Sequence, residues 1–106
     1  MKIAVSYNKS DAKIESIFEN SRFFKFYDVV GNSVICSEMI GTMGAKEKEE
    51  LVHILLMFET DALICGDIND ETRELLSEEG ITYFSGCAGL ADDVVELALA
   101  GKLCPA

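Results

Sequence analysis

The chain has no tryptophan, one proline, one histidine, and only 9 lysines and arginines against 19 acids. Each shortage excludes something. A net charge of −10 repels phosphate backbones, whose neutralisation drives nucleic-acid affinity, so no nucleic-acid partner is expected. No apolar run approaches the roughly twenty residues that a membrane-spanning helix needs, and no membrane role is expected. The N-terminus MKIAVSYNKSD lacks an apolar stretch long enough for a secretory signal, and a cytoplasmic location is expected. The four cysteines stand at 36, 65, 87 and 104. No pair has C-x-x-C spacing, which argues against zinc-ribbon and thioredoxin sites, and free thiols are expected in a reducing compartment. Cys65, in mid-strand, and Cys36 read as core residues. Cys104 is either a thiol handle in a terminal tail or without a role.

What is present is ordinary globular composition, 49% apolar and 26% charged. The 106 residues read as one domain, 1–106, long enough to bury roughly two-thirds of its unfolded surface without a metal or disulfide. KIAVSY (2–7) is a first strand. Asn8 to Asn20 is polar and reads either as a loop or as one weak helical turn from Ser10. FFKFYDVV (23–30) is a second strand, with Phe24, Phe26 and Asp28 on one face and Lys25, Tyr27 and Val29 on the other. Gly31-Asn32 is a hairpin signal, so SVICSEMI (33–40) pairs back antiparallel. Leu51, Ile54, Leu55 and Phe58 recur at helical spacing and predict a helix over about 45–59. DALICGDI (61–68) holds a continuously apolar strand of the kind found at the centre of a parallel sheet. Asn69 or Asp70 caps a second helix that ends near Gly80. ITYFS (81–85) is the fifth strand. GCAGLADD (86–93) opens a last helix, with Asp92 and Asp93 near its positive end and Gly101 stopping it. The order β-β-β-α-β-α-β-α predicts an α/β domain with a mixed five-stranded sheet and helices on both faces, a three-layer arrangement.

The stretch FENSRFFKFYD (18–28) gathers five of the nine aromatic residues, with Arg22 and Lys25 between them. Rings alternating with bases suit either a base-stacking surface or a buried strand with a polar second face. Taken with KIAVS at the start, F-x-x-S-x-x-F-x-x-YDV at 18–29, ALICGDI at 62–68, LLSEEGI at 75–81 and AGKL at 100–103, the stretch resembles the dinitrogenase iron–molybdenum cofactor biosynthesis family, the NifX/NafY-like small domains. The resemblance implies a ribonuclease-H-like fold and rings that serve as core and sheet residues. It further implies binding or carriage of a metal cluster or cofactor precursor, either an iron–sulfur or a molybdenum-containing cluster, and a protein partner in cofactor assembly. One branch of the family holds a molybdenum–copper cluster. The family's His-Phe-Gly-Arg stands here as Ile17-Phe18-Glu19-Asn20, so the histidine and the glycine are both gone. The remaining histidine, His53, falls on a helical wheel with Lys46, Glu49 and Met57, away from the Leu51–Leu55–Phe58 stripe, and reads as exposed and unliganded.

Ligands of open α/β sheets sit beyond the carboxyl ends of the parallel strands. That edge collects GTMGAK (41–46), GDIND (66–70) and GCAGLADD (86–93). Helix-start amides can hold an anion, which makes Gly44, Lys46, Gly66, Asp67, Gly86 and Gly89 candidate ligand-binding residues; tight turns account for the same glycines equally well. Met43 and Cys87 are candidate soft donors for a thiophilic metal. Asp67, Asn69, Glu71 and Glu78 mimic calcium-loop spacing, but Thr72 stands where that loop needs glycine, so the segment reads as a strand end and a helix cap. The ribonuclease-H-like architecture does chemistry with carboxylates on its first and central strands, and no acid lies between Lys2 and Asn8. No enzyme activity is expected. Two readings stay open: a carrier of a metal cluster or cofactor precursor, and an anion- or protein-binding module that keeps the fold without cluster binding.

Overall fold

The alternation in residues 23–30 settles which way the sheet faces. In a computed structural model that describes residues 1–45 and 47–101, Phe24 and Phe26 enter one apolar cluster and Tyr27 and Val29 the other. The strand is covered on both sides, so the aromatic run is core. The expectations placed on Lys46 and Cys104 fall outside the described residues.

The elements are β1 (Lys2–Asn8), β2 (Lys13–Ile14), a 3-10 turn (Phe18–Asn20), β3 (Phe23–Val30), β4 (Ser33–Gly41), α1 (Lys48–Met57), β5 (Ala62–Ile64), α2 (Asp70–Glu78), β6 (Thr82–Phe84) and α3 (Ala91–Leu99). The strands run in the order β4-β3-β1-β5-β6, with β2 added to β1. The β1–β3 and β3–β4 pairs are antiparallel, and β1–β5 and β5–β6 are parallel. Gly31 turns the β3–β4 hairpin at φ 62°, a conformation that glycine adopts without penalty.

One expectation is corrected here: the mixed sheet has six strands, not five. The sixth, β2, pairs through Tyr7↔Ile14 and Asn8↔Lys13 only. Side-chain amide and carboxylate caps fold the chain back on β1: Ser10 N donates to Asn8 Oδ1 at 2.9 Å and Lys13 N to Asp11 Oδ1 at 3.1 Å. Two residues carry no period-2 pattern, so composition alone does not announce the strand.

Two apolar clusters fill the faces. Leu51, Val52 and Leu55 of α1 and Leu76 of α2 pack with Phe24, Phe26 and Leu63. Ala91, Val94 and Val95 of α3 pack with Ile3, Val5, Tyr27 and Ile64 on the opposite side. Fully burying each of the large side chains contributes roughly 1.5–3 kcal/mol. Asn69 caps α2 by accepting from Thr72 N at 2.8 Å, which turns the calcium-like spacing into a cap. Asp92 and Asp93 occupy the first turn of α3, and Gly101 follows its end at φ 73°.

A second correction concerns Cys36. It is exposed on β4, because the edge strand carries no helix over that position, and its thiol donates to Asp28 Oδ2 at 2.9 Å. Cys65 is fully buried, as expected. Lys25 and Tyr27 both reach Asp92 Oδ1, at 2.8 and 2.6 Å, which pins β3 to the start of α3. The Lys25 hydrogen bond, followed by that of Tyr27, holds the Asp92 carboxyl below its ordinary range. Burial, then the Asp92 contact, pushes the Tyr27 phenol well above its own.

Candidate functional site

Segment 9–20 leaves β1 at the carboxyl edge of the parallel strands and crosses that edge as a strap. Ala91 N donates to Ala12 O and Ile14 N to Gly89 O. Farther along, Asp67 N donates to Ser16 O and Phe18 N to Asp67 O. Phe18, fully buried, anchors the strap by its ring contact with Phe24 at 5.9 Å. The strap passes so close to Gly66 that a Cβ there would collide with the backbone carbonyls of Glu15 and Ser16. That approach, rather than an unusual φ, is what requires glycine at position 66.

The crevice at the edge is therefore partly filled by the chain itself. Gly86 N donates to Gly66 O at 2.9 Å and Cys87 N to Cys65 O at 3.0 Å, so the loops after β5 and β6 meet each other. The start of α2 already faces an anion: Glu19 accepts from the Thr72 hydroxyl at 2.7 Å and from Asn69 N at 3.4 Å. A carboxylate at a helix N-terminus is favoured by the helix dipole.

The open space lies on the other side of the strap. Glu15, Glu19, Ser21, Arg22, Thr42 and Gly44 are among the residues lining a cleft of about 1070 Å³ between residues 15–23 and the loop after β4. The Thr42 hydroxyl donates to Ser21 O at 3.1 Å and Thr42 N to Arg22 O at 2.9 Å, which fixes the two walls to each other. The Ser21 hydroxyl is 2% exposed as a residue and meets no hydrogen-bond partner among the described residues; the hydroxyls of Ser6, in β1, and Thr60, before β5, share that state. A second cleft of about 500 Å³ adjoins the first through Glu15, Asn20, Arg22 and Phe23 and brings in Lys9. The Lys9 ammonium sits 5.6 Å from the Phe23 ring centroid. Across the two clefts Lys9 and Arg22 therefore stand with Glu15 and Glu19, two positive charges beside two negative ones.

The candidate residues divide accordingly. Met43 and Gly44 line the large cleft. Gly66, Asp67, Gly86 and Gly89 lie under or beside the strap, and the amides of Asp67 and Gly86 already donate to backbone carbonyls. Cys87 is buried with its sulfur 3.6 Å from Phe84 O and 3.8 Å from Ser85 O, whereas Met43 is 95% exposed. His53 is exposed on α1. Among the described residues no three His, Cys, Asp or Glu side chains stand together as a metal-binding group. Sequence reasoning missed Lys9, Ser21, Arg22 and Thr42. Ser21 had a signal: it is the serine of the F-x-x-S-x-x-F pattern.

Among the described residues no helix is long and apolar enough to cross a membrane. The sequence pattern described as "Dinitrogenase iron-molybdenum cofactor" matches residues 1–101. No curated protein matches the chain. Among solved structures, the protein PH0822 superposes with a TM-score of 0.91 at 22% identity, over 99% of this chain and 94% of that one. The apo form of the orange protein from Desulfovibrio gigas superposes with a TM-score of 0.83 at 18% identity, over 99% and 92%. A protein from Methanocaldococcus jannaschii gives 0.78 at 23% identity, over 98% and 92%. At such identities the likeness is one of fold.

Proposed function

Because the chain belongs to the dinitrogenase iron-molybdenum cofactor family, we propose that it is a non-enzymatic carrier of an anionic metal cluster or cofactor precursor, held in the cleft between residues 15–23 and the loop after β4. The observation that carries the reading is Ser21: the residue lines the cleft, its hydroxyl is buried behind that surface without a partner among the described residues, and a turn of the side chain brings it to the cargo. A buried polar group left unmade costs about 1–3 kcal/mol, and an acceptor in the cleft removes that cost. Arg22 in the cleft and Lys9 in the adjoining one offset the carboxylates of Glu15 and Glu19, so the cargo is met by hydrogen-bond donors more than by net positive charge.

In this reading the cargo is held chiefly by hydrogen bonds and charge. Met43 offers a thioether from the cleft wall and Gly44 its close backbone approach. Cys87 is the second soft donor, and it reaches cargo only if its loop turns the thiol away from Phe84 O and Ser85 O. Gly66, Asp67, Gly86 and Gly89 act beneath, as the base on which the strap rests. The strand order is compatible with ribonuclease-H-like architecture. The absence of any acid between Lys2 and Asn8 supports a role without two-metal chemistry.

Iron, molybdenum and sulfide analysis of anaerobically purified protein tests the reading. Metal and sulfide in fixed proportion to protein are expected. Protein that is metal-free and takes up simple oxyanions in the same cleft would instead establish the anion-binding module.

A further inference from the structure

The loop after β4 has a second side. There Ile40, Met43, Ile54, Met57 and Phe58 line a groove of about 610 Å³ against α1. It arises from how α1 distributes its apolar residues. Leu51, Val52 and Leu55 go to the core, while Met57 is left 63% exposed. Met43 holds φ 58°, a backbone state that costs a residue with a Cβ about 1–2 kcal/mol. The fold thus tolerates strain at a residue whose side chain stands in solvent. Thioethers are unbranched and adapt to irregular apolar partners.

The rim is acidic. Glu49 and Glu50 line the groove beside His53. Glu38 lies two residues before Ile40, and their β3 partners Phe26 and Phe24 both face the α1 side of the sheet. Lys48 is engaged with Glu49 at 3.0 Å and Glu71 at 3.1 Å. This charge selects among occupants. A second copy would set one acidic rim against another on chains of net charge −10, and nucleic acid or an anionic membrane is repelled for the same reason. A cation-bearing segment is attracted, and its apolar side chains meet Ile40, Ile54 and Phe58 with Met43 and Met57 free to close over them.

We propose that this groove docks a cationic, amphipathic segment of a partner protein. The site is separate from the cargo cleft, although Gly41, Thr42, Met43 and Ala45 wall both, and it stands whether or not a cluster is bound. The test is an amide chemical-shift titration of the full chain with a synthetic peptide alternating lysine and leucine, and with its glutamate–leucine counterpart. The proposal expects shifts confined to residues 38–45 and 49–58 with the lysine peptide alone. It expects binding about tenfold weaker or worse, roughly 1.4 kcal/mol, in Met57→Asp and in Glu50→Lys, with both spectra otherwise unchanged. A Glu78→Lys/Glu79→Lys control at the end of α2 should bind within about twofold of wild type on this electrostatic argument. Shifts spread over the acidic surface, equal weakening in the control, binding of both peptides, no binding, or self-association through the groove would each overturn it.

Discussion

The Glu19 carboxylate accepts a hydrogen bond from the Thr72 hydroxyl at 2.7 Å, and with the longer one from Asn69 N at 3.4 Å this contact joins the strap to the start of α2. Thr72 is fully buried, and its hydroxyl is also 2.9 Å from Asn69 Oδ1. Having one proton, the hydroxyl can turn to Asn69 when Glu19 is removed. Glu19→Ala should therefore lose only about 1–2 kcal/mol, the range of a charged hydrogen bond and helix cap. Urea denaturation should show a lower midpoint with an unchanged slope; an undiminished midpoint contradicts the role given to Glu19.

Gly66→Ala should be far more damaging than Gly44→Ala. The new methyl at 66 meets the backbone of residues 15 and 16, whereas at 44 it meets open space and only the strain of φ 78°. A cost of about 1–2 kcal/mol is expected at Gly44 and a larger one at Gly66. Amide exchange of Phe18 and Asp67, whose hydrogen bonds join strap and edge, should accelerate in Gly66→Ala and stay slow in Gly44→Ala.

The three described cysteines should differ under alkylation. Cys36 is accessible, yet its hydrogen bond to Asp28 pushes the thiol above its ordinary range. Less thiolate then exists at pH 8, and the thiolate is the reactive form. Asp28→Asn should speed modification of Cys36. Burial pushes Cys65 up to about 12, so it should react only on unfolding. Peptide-resolved mass spectrometry checks both, and equal Cys36 rates in wild type and variant contradict the first.

Acid should loosen the β3–α3 contact. Lys25 and Tyr27 hold the Asp92 carboxyl below its ordinary range. A depressed carboxyl contributes stability above its unfolded value, near 3.9, and loses it as pH falls through the folded value. Asp92 is exposed, so the effect is small after solvent screening. Asp92→Asn should flatten the stability profile below about pH 4 and leave its shape between pH 6 and pH 8 unchanged on the same linkage argument.

Much of this molecule is legible in its sequence, for physical reasons that also explain the failures. The β3 alternation and the Gly31-Asn32 turn announce the hairpin, and the spacing of Leu51, Leu55 and Phe58 announces α1, because burial repeats with the backbone period. The strap is legible only at its Phe18 end, since backbone hydrogen bonds hold the rest at Ala12, Ile14 and Ser16 and these leave no side-chain pattern. Cys36 was misplaced for a related reason: an edge strand lacks a cover that the strand's own residues do not report. At the candidate site, Met43 and Gly44 were legible as loop residues after a strand. Ser21 and Arg22 were hidden in an aromatic run whose most visible property is burial.

The Ser21 hydroxyl, which meets no hydrogen-bond partner among the described residues, is assigned to the cargo. Stability measured together with anaerobic retention of iron, molybdenum and sulfide in wild type and Ser21→Ala tests that assignment. Deleting a buried hydroxyl without a partner should leave the cargo-free protein as stable or more stable. Retention should fall, as it should in Arg22→Ala. Full retention by the Ser21→Ala, Arg22→Ala double variant, or a Ser21→Ala protein that is destabilised without losing cargo, would contradict the claim.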